Sequence, residues 1–319
     1  MPLKRREFLG LATSGLMSAA YPSLAQTSRV EGIRAFSVLL TGVHPSLPEN
    51  ALGSLIFAFL SQGVAVSVEV DFEAFAKHTP DALHPTLAML NETSARNRTF
   101  VEIVPAMPGL LGQTGYFKAR HLWRVRNQIN QLLPGALSEA TQTAHFSTVS
   151  TGLLDADLRQ DGLRTGGCTT VIYDAVDSPE QEALLGPAAV LMVPLKARLD
   201  LADAVQQMTP ALFDRLGDGT ALAINVQELP INPARAYEIG QRVAASVNRA
   251  RLSSYLLSVL PREIYKRCCA FLPNHSRHFV LLPEVPDDRA SYDRMLGQAR
   301  ALLDVDCVTL VSGGGTGTD

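Results

Sequence analysis

Phe36-Ser37-Val38-Leu39-Leu40, followed by Gly63-Val64-Ala65-Val66-Ser67-Val68-Glu69-Val70-Asp71, decides the fold. The first stretch reads as an apolar strand. The second alternates with period two: Val64, Val66, Val68 and Val70 on one face, Ser67, Glu69 and Asp71 on the other. The residues between them, from about Pro48 to Gln62, predict a helix. Leu52, Leu55, Ile56, Phe59 and Leu60 share one face of it at helical spacing. Ser46-Leu47-Pro48-Glu49 predicts a capping box with Pro in the first turn, and Gly63 stands where a C-terminal cap glycine belongs. Strand, crossover helix and strand imply a parallel βαβ unit. Its second strand finishes in carboxylates, at the end where parallel folds gather ligand and catalytic groups.

The same grammar continues along the chain. Strands are expected at Thr99–Val104, His145–Val149, Thr169–Asp174, Ala188–Pro194, Leu222–Val226, Ser254–Leu260, His278–Leu282 and Asp306–Val311. Helices are expected over Phe72–Asn91 (interrupted at His78-Thr79-Pro80), Tyr116–Leu133, Gly152–Asp161, Leu201–Leu216, Asn232 to about Asn248, and Arg289–Leu303. The pattern restarts near Thr220, after the Gly217-Asp218-Gly219 turn. The fold class is therefore α/β with mostly parallel strands: an irregular (β/α) barrel, or alternatively two adjoining α/β lobes with a boundary near 217–219.

The N-terminus reads as an address. Lys4-Arg5-Arg6-Glu7-Phe8-Leu9 is similar to a twin-arginine export motif, a mildly apolar run follows to Ala20, and Ser23-Leu24-Ala25 offers a cleavage site. Residues 1–25 are thus expected to be a signal peptide. Residues 26–312 form the α/β region and 313–319 a glycine-rich tail. The protein is expected to be periplasmic or secreted, with no membrane span in the mature chain. The net charge of −3 argues against a nucleic-acid backbone binder. Lys118, Arg120, His121, Arg124 and Arg126 form a local basic patch on one predicted helix, either a solvated face or a surface for an anionic ligand. Four cysteines in an oxidising compartment permit a disulfide, with Cys268 or Cys269 to Cys307 the favoured pairing. Trp123 is expected to pack in the interior rather than stack on a sugar.

Carboxylates end several predicted strands: Glu69 and Asp71, Glu102, Asp174 with Asp177, Glu228 and Glu284. Parallel neighbouring strands would bring them to one rim. Two carboxylates across a sugar suffice for glycoside hydrolysis, which makes Glu69, Asp71, Glu102 and Asp174 candidate catalytic residues. Each acid has an alternative role as a helix cap. Carboxylates with a histidine can hold a divalent metal that activates water. His44 and Asp71 are the candidate ligands, but no ligand motif supports a metal and the cofactor stays open. His44 and Glu284, on loops after strands, are candidate substrate contacts.

The order of elements resembles the polysaccharide deacetylase family, an irregular (β/α) barrel acting on acetylated sugars through a bound divalent metal. The resemblance lies in the Phe36 to Pro48 strand and turn, and in the Gly63-Val64-Ala65-Val66-Ser67-Val68-Glu69-Val70 strand. It extends to a closing strand, helix and strand around His278-Phe279-Val280-Leu281-Leu282-Pro283-Glu284 and Val308-Thr309-Leu310-Val311. It spans about half of the mature chain in pattern. The family's motifs are altered here. Leu40-Thr41-Gly42-Val43-His44 stands where that family has Thr-Phe-Asp-Asp. His78-Thr79 and His84 are two residues too widely spaced for its His-Ser/Thr-x-x-His ligands, and Pro283-Glu284 replaces its usual catalytic histidine. The resemblance implies a divergent, carbohydrate-engaging protein, with polysaccharide or another glycan as partner and with catalysis degenerate or rebuilt from other residues. A glycoside hydrolase using strand-end carboxylates and a non-catalytic periplasmic binding or assembly factor are the alternatives.

Overall fold

The computed structural model describes residues 28, 29, 32, 34–78, 84–110, 113, 115–133, 148–153, 162, 163, 167–178, 180–185, 190–269 and 285–303. The expected signal peptide and tail, the strands at 278–282 and 306–311, Glu284 and Cys307 lie outside the described residues. The elements run β1 (Ser28–Arg29), β2 (Ala35–Val43), α1 (Glu49–Ser61), β3 (Val66–Val70), α2 (Phe72–His78), α3 (Pro85–Arg96), β4 (Val101–Pro105) and α4 (Gly115–Leu132). They continue with β5 (Thr148–Leu153), β6 (Thr170–Asp174), β7 (Leu184–Leu185), β8 (Leu191–Asp200), α5 (Leu201–Gln207), α6 (Pro210–Leu216) and β9 (Thr220–Asn225). Last come α7 (Pro233–Ser253), β10 (Leu257–Ser258), α8 (Pro261–Cys269) and α9 (Arg289–Leu303).

Seven parallel strands make a nearly closed barrel: β2, β3, β4, β5, β6, β8 and β9. β9 pairs with β2 on one side and β8 on the other. The second half of the sequence therefore completes the sheet begun by the first, and the two-lobe alternative falls. The remaining seam lies between β4 and β5. An Ala106–Ser150 bridge holds it, together with the Met107 N–H donating to the Ser150 carbonyl at 2.7 Å.

The alternation in β3 sorts the barrel into two layers. Val66, Val68 and Val70 face outward into a core shared with Leu52, Leu55, Ile56 and Phe59 of α1. Inside, Leu39, Val104, Ile172, Leu191, Val193, Leu195, Ala221 and Ala223 join one apolar cluster contributed by five different strands. Ile264 and Cys268 of α8 belong to the same cluster, so α8 seals the N-terminal end of the barrel. The chain reaches that end through β10, where Ser37 Oγ donates to the Val259 carbonyl at 2.8 Å.

Helix α1 ends as its sequence demands. Gly63, at φ +65°, follows the last turn, its N–H donates to the Leu60 carbonyl, and the Val64 N–H donates to Phe59. This is a Schellman closure that glycine adopts without steric cost. The start of α1 differs from expectation. Pro48, not Ser46, is the cap residue, and no side chain caps the helix. Ser46 is drawn instead into a turn whose N–H donates to His44 Nδ1 at 3.2 Å. Asn232 caps α7 as expected, accepting from the N–H groups of Ala234 and Arg235. That helix runs on to Ser253.

Other boundaries shift for local reasons. Pro210 splits the helix expected over Leu201–Leu216 into α5 and α6, with Thr209 capping the second. Strand β8 runs past Pro194 to Asp200, which places Lys196 and Arg198 within it rather than after it. Residues 152 and 153, expected to open a helix, finish strand β5. The expected Ser254–Leu260 strand shrinks to two residues. The basic patch on α4 is not one solvated face, because Lys118 is buried and Arg120 pairs with Asp287. Trp123 packs, partly buried, beside Tyr116 and Tyr292. Among the described residues no helix is long and apolar enough to cross a membrane.

Helices α1 and α7 pack closely because α7 presents small residues, Ala236, Gly240 and Ala244, to its neighbour. Polar groups cross the same contact. Gln62 Nε2 donates to Gln241 Oε1 at 2.6 Å, and Asn248 Nδ2 donates to the Gln62 carbonyl at 2.8 Å. A Cβ on Gly240 would meet Ala58 Cβ at 2.7 Å and the Leu55 carbonyl oxygen at 3.2 Å. Backbone cannot move aside as a side chain can. Gly240→Ala is therefore expected to lower stability by about 1–3 kcal/mol, read as an earlier urea midpoint with an unchanged m-value.

Candidate functional site

At the C-terminal mouth, strand ends deliver their polar groups inward. β3 carries Glu69, followed by Asp71. β6 ends in Asp174, β8 carries Arg198 and Asp200, β9 ends in Asn225, and β5 offers Ser150. Arg198 is the centre of this arrangement. Its guanidinium donates to Asp174 Oδ2 at 2.9 Å and its charge also reaches Glu69. Asp174 Oδ1 accepts from the Val176 N–H at 3.2 Å, which fixes the carboxylate at the turn after β6. Asn225 Nδ2 donates to Asp200 Oδ1 at 3.1 Å, and Asn225 Oδ1 accepts from the Gln227 N–H at 3.1 Å.

Glu69 stands apart electrostatically. Burial pushes its carboxyl above the usual carboxylate range, against the opposing pull of the Ser150 hydroxyl and of the Arg198 charge. Asp71 adds a smaller push in the same direction. Asp71 has a local duty as well, since its Oδ1 accepts from the Ala74 N–H at 3.0 Å in the first turn of α2.

The structure thus brings Glu69, Asp71 and Asp174 to one mouth, and it places Glu102 elsewhere. Glu102 is the second residue of β4, beside Ser67 in register. It points into the closed lower half of the barrel and is fully buried. Thr148 Oγ1 donates to its Oε1 at 2.8 Å. Burial raises its pKa from 4.5 to about 7, opposed by the charge and backbone N–H of Arg262 at the start of α8. Its Oε2 and the Ser67 hydroxyl have no hydrogen-bond partner among the described residues. Glu102 therefore links β4 to β5 and to the helix that plugs the barrel, far from the rim.

The histidines and the first loop bear on the metal implied by the family resemblance. His44 Nδ1 accepts from the Ser46 N–H. His84 is the buried cap of α3: its Nδ1 accepts from the Thr86 N–H at 3.2 Å. It stacks edge-on against Phe75 at 4.9 Å, and burial followed by His78 keeps its pKa low. The loop after β2 has no acid, and Gly42, next to last in β2, has φ +78°, with Asn225 Oδ1 occupying the space a Cβ would need. Among the described residues no three of His, Cys, Asp and Glu gather where they could hold a metal ion. The described residues do not fit that metal. Glu284 and the pairing of Cys307 lie outside the described residues.

Sequence reasoning missed Ser150, Arg198, Asp200 and Asn225. The signal for Arg198 and Asp200 was the charged alternation Lys196, Arg198, Asp200 continuing an apolar strand. Ser150 carries no such mark, because it meets Glu69 only through the closure of the barrel.

No family model matches the chain, and no curated protein matches it. Solved structures do. A family 4 carbohydrate esterase from Streptomyces lividans aligns at 10% identity over 69% of this chain and 90% of its own, with a TM-score of 0.33. A pseudoenzyme of the same family from Bacillus anthracis aligns at 8% identity over 71% of this chain and 64% of its own, TM-score 0.36. A peptidoglycan N-acetylglucosamine deacetylase aligns at 10% identity over 73% and 90%, TM-score 0.35. These are structures of the family whose element order the sequence resembles. Scores of this size carry no argument about a shared site.

The environment of Glu102 has a pH consequence. Its folded-state pKa lies above 4.5, so the native state holds the proton more tightly than the unfolded chain does. Its contribution to stability is then full below pH 4.5 and lost as pH rises through about 7. Glu102→Gln is expected to remove a decline of order 3 kcal/mol across that window, read as urea midpoints measured at successive pH values.

Proposed function

We propose that the protein engages a polysaccharide or related glycan at the C-terminal mouth of its barrel, as an exported and divergent relative of the polysaccharide deacetylases. The observation that carries this reading is the mixed ring of Glu69, Ser150, Asp174, Arg198, Asp200 and Asn225 around one mouth. A sugar hydroxyl both donates and accepts, so it is best met by carboxylates, amide, hydroxyl and guanidinium held side by side. Strand ends rather than long loops hold these groups, which favours a preset geometry. The Lys4-Arg5-Arg6 motif supports export, and the order of strands supports the family link. Metal-assisted deacetylation is not part of the proposal, because His84 is committed to capping α3 and the loop after β2 carries no acid.

Glycoside hydrolysis is the second reading. It is favoured by the contrast between Glu69, whose pKa is raised by burial, and Asp174, which is ion-paired to Arg198. Two carboxyls in unlike environments are the usual basis for dividing acid and nucleophile roles.

The test is calorimetric titration of the mature protein with N-acetylglucosamine oligomers and with a panel of neutral glycans. Saturable binding is expected, weakened at least about tenfold by Glu69→Gln and by Arg198→Ala with circular dichroism unchanged, as expected for loss of hydrogen bonds to a charged group. No binding to any glycan, or binding indifferent to both substitutions, overturns the reading. Zinc or cobalt in excess is expected to leave the melting temperature in place. A metal-dependent rise would contradict the assignment of His84 and the first loop to purely structural roles.

A further inference from the structure

We propose that the N-terminal end of the barrel, opposite the mouth, is a docking face for an anionic lipid bilayer. The inference stands apart from the glycan reading and adds a partner at the other end of the molecule.

The barrel strands run parallel, so the turns that lead into them share this end. Those turns expose large apolar side chains. Phe100, just before β4, is 41% exposed, and Leu252, in the last turn of α7, is 71% exposed. Tyr255, just after that helix, is 80% exposed, and Leu257 in β10 is 45% exposed. Backbone contacts hold these segments together. The Phe100 carbonyl accepts from the Val66 N–H at 2.8 Å, and the Ser258 hydroxyl donates to the Ala65 carbonyl at 3.3 Å. Phe100 and β10 therefore meet at the same two residues of the chain.

Tyr255 is the most telling of the four. It follows Ser254, the C-cap of α7, at φ +56°, and the Leu256 N–H closes the helix by donating to the Arg251 carbonyl at 3.0 Å. Glycine is the residue this closure favours, and a bulky side chain held in the left-handed region costs backbone strain. A ring so exposed offsets little of that cost by packing. Among the described residues one other non-glycine residue has positive φ, Arg34 at +52°, and its carbonyl accepts from the Leu257 N–H at 2.8 Å. Both strained positions thus fall on one patch, and both hold a side chain out in solvent.

Charge selects the partner. Arg34 and Arg98 are exposed and make no ion pair among the described residues. Arg249 and Arg251 donate to neutral groups, Ser246 Oγ at 3.2 Å and Asn248 Oδ1 at 2.7 Å. These arginines outnumber the opposing acids Asp214 and Asp218, which are held by the Ser254 hydroxyl and the Gly32 N–H. The excess of positive charge is local, because the chain as a whole carries −3. The core of a protein interface is depleted in charge. A bilayer surface instead takes aromatic and aliphatic side chains at the acyl boundary and basic ones among its anionic headgroups. Seated this way, the barrel turns its mouth away from the lipid.

The experiment is cosedimentation of the mature protein with extruded vesicles, one set of phosphatidylcholine alone and one with about a third phosphatidylglycerol. Binding is expected to the anionic vesicles only, and it should weaken as added salt screens the arginines. A basic residue near an anionic surface is worth about fivefold in partitioning, so the charge reversal Arg98→Glu is expected to cost at least about tenfold. Arg235→Glu makes the same charge change at the exposed start of α7, near the mouth, and is expected to leave partitioning in place. Tyr255→Asn combined with Leu257→Ser is also expected to cost at least about tenfold. Asparagine tolerates the left-handed backbone, so this variant keeps the fold, and circular dichroism checks each protein. No pelleting with anionic vesicles, equal pelleting with phosphatidylcholine alone, or equal losses from Arg98→Glu and Arg235→Glu overturns the proposal. A dimer in sedimentation velocity that Tyr255→Asn dissolves, without vesicle binding, assigns the patch to a second copy of the chain and overturns it as well. The glycan titration reads the opposite end, so failure of one reading is distinguishable from failure of the other.

Discussion

A barrel of so few strands encloses a space that side chains alone must fill, and the rest of this structure follows from how that space is divided. The sector formed by β2, β6, β8 and β9 is apolar, with Leu39, Ile172, Val193, Leu195 and Ala223 in contact. The sector formed by β3, β4 and β5 carries more polar groups, with Ser67, Glu69, Glu102, Thr148 and Ser150 turned inward beside Val104. The first sector supplies the burial that closes the barrel. The second costs desolvation at every group it encloses. Both acids raised in pKa by burial and turned into the barrel stand in that sector, Glu69 at its upper end and Glu102 at its lower end.

That division separates two carboxyls which look alike in sequence. Glu102 is three positions before the end of its strand, two below the level of Glu69, and faces α8, so its proton bears on whether the N-terminal end stays sealed. Glu69 is at the mouth, where Ser150 and Arg198 reach it and solvent is close. Depth along the strand, measured in single residues, decides which acid serves stability and which is available to a ligand.

The β2, α1, β3 unit was legible because its periodicities are unmixed: period two in Val64 to Asp71, helical spacing in Leu52 to Leu60, and a glycine at the helix end that needs positive φ. Its helix start was misread because Ser46 has a closer use in the His44 turn, and Pro48 takes the cap position with its fixed φ. β8 was read too short because Pro194 normally marks a strand's limit. Here Pro194 stands opposite Tyr173 within a continuing ladder, and Arg198 lies four residues further on in the same strand. Glu69, Asp71 and Asp174 could be named in advance, as strand-end acids, whereas Asp200 could not. Their partners could not, because Ser150 meets Glu69 and Arg198 meets Asp174 only after strands distant in sequence are placed around a circle.

The seam between β4 and β5 carries one further meaning. Every other neighbouring pair in the barrel shares a ladder of several residues, whereas this wall is held by a bridge at Ala106 and Ser150 and the Met107 contact beside it. Local opening follows the weakest set of backbone contacts rather than the global free energy. The barrel can therefore part along this line as a sub-global motion, with β2 and β9 still paired and the outer core around α1 and α7 intact. Amide protons of Ser150 and its neighbours would then exchange with solvent on a shorter timescale than those of β2, and the wall that frees them is the one on which the mouth's serine is mounted.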